Sequence, residues 1–211
     1  METSEVICAV STAPGIGAIA VLRMSGTGCI ALTDRIFESP SGKKLTGSKA
    51  NTVHFGKILE EGCLLDEVLV TIFHAPHSYT GENSTEIMCH GSSYILQQVM
   101  QLLIKNGCRS ALPGEYTQRA FLNGKMDLSQ AEAVADLIAS SNASTHRLAM
   151  NQMRGGFSKE LAGLRNMLLN FTSMIELELD FSEEDVEFAD RKELNRLADH
   201  IESFISRLVH S

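Results

Sequence analysis

No stretch of this 211-residue chain is apolar for long enough to cross a bilayer. The longest such runs, Val68–Phe73 among them, fall far short of the ~20 residues a spanning helix needs. The start, Met1-Glu2-Thr3-Ser4-Glu5, lacks the basic and apolar segments of a secretion signal. There is no C-x-x-C pair. The five cysteines (Cys8, Cys29, Cys63, Cys89, Cys108) are odd in number and widely spread, the pattern of free thiols in a reducing cytosol rather than of disulfides or a zinc site. There is no G-x-x-x-x-G-K-[ST] either. Gly42-Lys43 and Gly124-Lys125 lack the upstream glycine and the following Ser/Thr, so no backbone cradle for nucleotide phosphates is expected. The seven histidines show no metal-ligand spacing, and Pro76 interrupts the pair His74 and His77. A broad positive field is missing too. The net charge is −8, with eight acids and no Lys or Arg in residues 176–190, and 18 acids against 18 bases elsewhere. If such a chain works on RNA, another domain or partner supplies the grip. The acidic run has no calcium-loop spacing and reads as a solvated segment between helices.

What is present is a core-forming composition, 44% hydrophobic, in two different patterns. The first half carries strand signals at Val6–Val10, Ala18–Met24, Asn51–Leu59, Glu67–Phe73 and Thr85–Cys89. Glu60-Glu61-Gly62 predicts a hairpin turn. Helices are expected at Cys29–Phe37 and Ser93–Lys105, the latter with Ile95, Leu96, Val99, Leu102 and Leu103 on one face and Asn106-Gly107 as its stop. After Pro113-Gly114 almost everything reads as helix. Ser129-Gln130-Ala131-Glu132 has capping-box spacing. Two seams, Leu161, Leu164, Leu168, Phe171, Ile175 and then Leu194, Leu197, Ile201, Phe204, Leu208, suit a helical bundle, with Asp180–Asp190 connecting them. The expected class is α+β: a mixed domain over 1–118, then an incomplete all-α bundle over 119–211.

Four features are candidates for chemistry. Gly15-Ile16-Gly17-Ala18-Ile19-Ala20 matches a dinucleotide-binding G-x-G-x-x-A only superficially. A strand follows it rather than a helix, so it reads as a tight loop between strands. Arg23 ends an apolar strand, either exposed or facing a partner, since an unpaired buried charge is costly. Glu86 shares a strand face with Met88 and His90, opposite Ile87 and Cys89. Its carboxylate is either solvated or aimed at a ligand with adjacent N–H donors, as pterins and guanines have. Lys125 follows the turn signal Asn123-Gly124 near the domain junction, where ligand clefts are common.

The run Pro113-Gly114-Glu115-Tyr116-Thr117-Gln118-Arg119-Ala120-Phe121-Leu122-Asn123-Gly124-Lys125-Met126-Asp127-Leu128-Ser129-Gln130-Ala131-Glu132-Ala133 resembles the signature of the MnmE (TrmE) family of tRNA-modifying GTPases. Leu22-Arg23-Met24-Ser25-Gly26 and Thr80-Gly81-Glu82 with Glu86 and His90-Gly91 agree, in the family's order. The resemblance implies a folate-binding N-terminal domain that takes 5-formyltetrahydrofolate through Arg23, Glu86 and Lys125, and that forms a homodimer. It implies one-carbon addition at carbon-5 of the wobble uridine of tRNA, the flavoprotein partner MnmG (GidA), and a cytoplasmic setting. GTP, magnesium and potassium would bind only through a GTPase domain that this chain stops short of. Two readings from other classes stand beside it: a self-sufficient folate-dependent enzyme resembling an aminomethyltransferase, and a non-catalytic helical adaptor.

Overall fold

The computed structural model describes residues 5–180 and 191–209, and side chains within them except at 177–180, 191–194 and 207–209. The fold is α+β, and the chain separates into two compact units, Met1–Ala131 and Glu132–Ser211. Each is described by itself.

The first unit is built on seven strands: β1 (Ile7–Val10), β2 (Gly17–Ser25), β3 (Phe37–Glu38), β4 (Thr52–Glu60), β5 (Cys63–Phe73), β6 (Ser84–Gly91) and β7 (Arg109–Ser110). They form one sheet in the order β3-β4-β5-β6-β2-β1-β7. All neighbours are antiparallel except β1 and β7. The two-residue strands β3 and β7 carry too little pattern to be foreseen. The loop before Gly17 does join two strands. The turn at Glu61-Gly62 has positive φ at both residues, 51° and 83°, while Glu60 pairs with Cys63. Two left-handed residues match the twist of the flanking strands, which is why this hairpin closes so tightly.

Helices α1 (Cys29–Ile36) and α2 (Ser93–Lys105) cover one face of this sheet. Alternation decides which side chains meet them. Leu22 and Met24 on β2, Val68, Val70 and Ile72 on β5, and Ile87 and Cys89 on β6 are buried against Cys29, Ile30, Val99, Leu102 and Leu103. β5 is longer than the sequence suggests and is buried on one face only, since Leu69 between Val68 and Val70 is exposed. The opposite face of the sheet therefore carries Arg23, Glu86, Met88 and His90. A third helix, α3 (Glu115–Leu122), completes the unit.

From there the chain is helical: α4 (Leu128–Ala139), α5 (Ala143–Met153), α6 (Gly156–Asp180) and α7 (Arg191–Val209). The capping box at the start of α4 is set two residues earlier than Ser129-x-x-Glu132. Asp127 Oδ1 accepts from Gln130 N at 2.8 Å, and Gln130 Oε1 accepts from Asp127 N at 2.9 Å. Asp is as good an N-cap as Ser, and Leu128 is already the first helical residue. Leu168 and Phe171 of the α6 seam and Ile201 of the α7 seam line one groove together with Ile205, which lies outside the expected seam, and Phe204 is buried. Most of the connection expected at Asp180–Asp190, and the side chains of Leu194 and Leu208, lie outside the described residues.

Gly56 sits on the buried face of β4, where an added Cβ would strike the Phe37 ring and come within 2.5 Å of Glu38 O. Gly56→Ala should destabilise the protein by about 1–3 kcal/mol. Gly163→Ala, mid-helix in α6 with open space around it, should instead stabilise it by about 0.5–1 kcal/mol. Urea titration followed by circular dichroism measures both. Equal effects would show that the packing at Gly56 is wrong.

Candidate ligand-binding site

The register of the sheet places Arg23 on β2 directly opposite Glu86 on β6, and Glu86 opposite Thr71 on β5. Cross-strand partners share a face, so the three form one polar row on the side without α1 and α2. Arg23 donates through Nε and Nη2 to a single oxygen, Glu86 Oε1, at 2.9 and 2.7 Å. The rings of Tyr79 and Tyr116 lie over its guanidinium, 5.5 and 5.8 Å from the centroids, within the range of cation–π attraction.

The arrangement leaves specific atoms unused. Among the described residues nothing bonds to Glu86 Oε2 or to Arg23 Nη1. The two side chains are only 20% and 30% exposed, so these atoms are held in place rather than dangling. Thr71 Oγ1 is the one buried side-chain polar atom without a partner among the described residues. A row of polar groups that the protein satisfies only in part is an acceptor–donor edge available to a ligand.

The residues that frame this edge were not singled out from sequence. Tyr116 donates its hydroxyl to Arg23 O at 2.6 Å. Tyr79 OH and Thr117 Oγ1 share a bond of 2.9 Å. A charged cluster joins the two segments that carry these tyrosines. Arg119, 5% exposed, donates through Nη1 to Glu82 Oε2 at 3.1 Å and to Glu5 O at 3.0 Å, and through Nη2 to Glu115 Oε1 at 3.0 Å. Glu115 also accepts from Arg109 Nη2 at 2.6 Å and from Leu112 N at 2.8 Å. Ser25 Oγ donates to Glu82 Oε2 at 2.7 Å and lies 2.6 Å from Thr80 Oγ1. The i,i+4 spacing of Glu115 and Arg119 was the one signal of this cluster visible in the sequence.

Lys125 stands apart from the pair. Its aliphatic carbons would lie 3.2 Å from a Cβ on Gly81, and its Nζ donates to Pro76 O at 2.9 Å. It therefore reaches the site's edge through the Pro76–Glu82 loop, whose Tyr79 touches Arg23. Nearby thiols are not nucleophiles: burial pushes Cys29 up to about 12 and Cys89 up to about 11. All five cysteines are free. Among the described residues no group of three or more His, Cys, Asp or Glu is placed to hold a metal ion.

Two family sequence models match almost the whole chain: the GTP-binding protein TrmE N-terminus over residues 6–125, and the MnmE helical domain over residues 128–211. The chain belongs to the MnmE (TrmE) family. It is similar to the tRNA modification GTPase MnmE of Bacteroides thetaiotaomicron, 72% identical over 208 residues, covering 98% of this chain and 44% of that protein. It is also similar to the proteins of the same name from Phocaeicola vulgatus, 60% identical over 247 residues and covering 100% and 49%, and Flavobacterium johnsoniae, 56% identical over 211 residues and covering 100% and 45%. The chain thus spans about half the length of the curated MnmE relatives it matches. No helix among the described residues is long and apolar enough to cross a membrane.

The ion cluster makes a pH prediction. The Arg109 guanidinium, followed by the Leu112 amide and Arg119, holds the Glu115 carboxyl down at about 2, against an ordinary 4.5. A depressed carboxyl contributes stability that is fully present above 4.5 and is lost as pH falls through 2. Unfolding free energy should therefore decline over that window, and Glu115→Gln should flatten the decline. Arg119→Met removes the ion-pair partner of half-buried Glu82 and one donor of buried Glu115, and should cost about 3–5 kcal/mol at neutral pH. Chemical denaturation at stepped pH reads both. An unchanged acid limb in Glu115→Gln would refute the assignment.

Proposed function

We propose that this chain is the folate-binding, dimer-forming part of a tRNA modification GTPase, and that Glu86, Arg23 and Lys125 hold a reduced folate, 5-formyltetrahydrofolate. The observation that carries the reading is the pair on β2 and β6. Glu86 keeps one free carboxylate oxygen beside free guanidinium N–H groups of Arg23. A pterin edge offers N–H donors next to a carbonyl oxygen, so the carboxylate accepts from the donors and the guanidinium donates to the carbonyl. The tie to Glu86 at 2.7 Å supports putting Arg23 at the pterin rather than at the folate's glutamate. Lys125, on the neighbouring loop, supplies a second cation at that end.

When bound, the folate supplies the one-carbon unit for carbon-5 of the wobble uridine. The chain's own contribution is to hold the pterin edge against the Glu86–Arg23 pair, whose guanidinium is backed by two tyrosines. GTP, with magnesium and potassium, belongs to a GTPase domain outside this sequence. The net charge of −8 supports a grip on tRNA supplied by that domain or by a partner, MnmG (GidA), in a cytoplasmic setting. The domain map we favour keeps folate binding and dimerisation in the α+β part, nominally residues 1–118, and the bundle in 119–211. The homodimer reading is supported by the exposed Val53, Phe55 and Leu69 on β4 and β5, a cluster of apolar side chains on the open face of the sheet.

Glu86→Gln replaces an acceptor oxygen with a donor that faces the ligand's donors. It should weaken 5-formyltetrahydrofolate binding about thirtyfold or more, equivalent to roughly 2–5 kcal/mol. Titration calorimetry on wild type and variant decides. A correctly folded variant that binds as tightly as wild type means that Glu86 does not hold the pterin. Glu82→Gln is no neutral control, since Glu82 serves buried Arg119; exposed Glu38→Gln is. For the dimer, sedimentation equilibrium should return about twice the 23.0 kDa chain mass, and a strict monomer at tens of micromolar counts against it.

A further inference from the structure

His90 has a built environment that the pterin reading leaves unused. Asp66, whose side chain is 7% exposed, accepts from His90 Nδ1 at 2.7 Å, from His90 N at 2.8 Å and from Glu67 N at 2.9 Å. The imidazole itself is 67% exposed. A buried carboxylate thus fixes the ring's orientation and keeps the Nδ1 proton, which turns Nε2 outward. Nothing among the described residues bonds to Nε2.

Its position relative to Glu86 gives this a purpose. Glu86, Met88 and His90 alternate along the open face of β6, and β2 sets Arg23, Val21 and Ile19 opposite them in register. The face therefore runs from a charged pair, through an apolar middle of Val21 and Met88, to the end of β6, where the exposed His90 ring is held against the carboxylate of Asp66, a residue in the core-facing register of β5. At about 3.3 Å per residue the two ends are about 13 Å apart. Behind Arg23 the face is walled by Tyr79 and Tyr116. A reduced folate has the same sequence of chemistries: a polar pterin, an aromatic aminobenzoyl ring and a carboxylate-bearing glutamate.

The geometry points to His90 as the anion contact for the glutamate end of the folate, with the aminobenzoyl ring lying over Val21 and Met88. This inference rests on the folate reading above and adds the ligand's direction. Nδ1–H is committed to Asp66, so Nε2 is the ring atom left for the ligand; in the doubly protonated form of the ring it donates to a ligand carboxylate, and Asp66 balances the charge. Glu67, the exposed acid on the adjoining strand, pairs in register with Lys57, which offsets its repulsion of an anionic tail.

The test compares two ligands, 5-formyltetrahydrofolate and 5-formyltetrahydropteroate, which lacks the glutamate. Wild type should prefer the folate. His90→Gln should bind the folate about tenfold more weakly and the pteroate as wild type does, which removes the preference. His90→Lys, which keeps a cation, should retain most of it. Glu86→Gln should weaken both ligands alike. Loss of affinity for both ligands in His90→Gln, or an undiminished preference, overturns the inference while leaving the folate reading intact. So does a preference abolished by Lys125→Ala instead, since the tail then runs the other way. Wild type that binds neither ligand overturns both readings.

Discussion

The buried guanidinium of Arg119 is the interaction on which the site's geometry depends. Its donors fit only one set of acceptors: Glu115 at the start of its own helix, Glu82 in the loop before β6, and the backbone of Glu5 ahead of β1. Three segments distant in sequence are thereby fixed to one point. An apolar side chain of similar volume could hold them as strongly, because desolvating the charges offsets much of their attraction. It would not fix their register. The directional bonds do, and Ser25 and Thr80 extend them onto β2 and the loop. The tyrosines over Arg23 and the seat of Lys125 on Gly81 follow from that placement.

The sheet adds a second constraint. A strand with one face buried cannot slip by a single residue without reversing its faces. With Leu22, Met24, Ile87 and Cys89 committed to the core, Arg23, Glu86, Met88 and His90 are committed to the other side. The core therefore positions the polar row without touching it. That row is not self-sufficient, since Glu86 uses one oxygen and Thr71 Oγ1 uses none of its bonding capacity. Buried or half-buried polar groups left open are costly in a structure that has no use for them.

Much of this was legible in the sequence, and the boundary of legibility is physical. Period-two and period-3.6 patterns report burial, so β2, β4, β6, α2 and the shared face of Glu86, Met88 and His90 could be read directly. The start of α4 was misplaced because two capping boxes overlap, and the spacing rule does not say whether Asp127 or Ser129 reaches the free amides first. The pairing of Arg23 with Glu86 was invisible. It is set by the register of strands 63 residues apart, and no local pattern encodes register between distant strands. The ion cluster was hidden for the same reason, apart from its one helical turn of Glu115 and Arg119.

What the structure changes is the meaning of Arg23. Read alone, an arginine on an apolar strand is equally a surface charge or a ligand contact. Paired with Glu86 and backed by two rings, it has little rotational freedom left to lose, so a ligand that meets it bears less of the ordering cost of a long side chain. The pair also keeps Glu86 from turning into solvent while consuming only one of its oxygens. An ion pair that used both would be a structural strut; an unpaired carboxylate would be solvated and loosely placed. The one-oxygen pair lies between these cases, ordered by the protein but still able to bond outward.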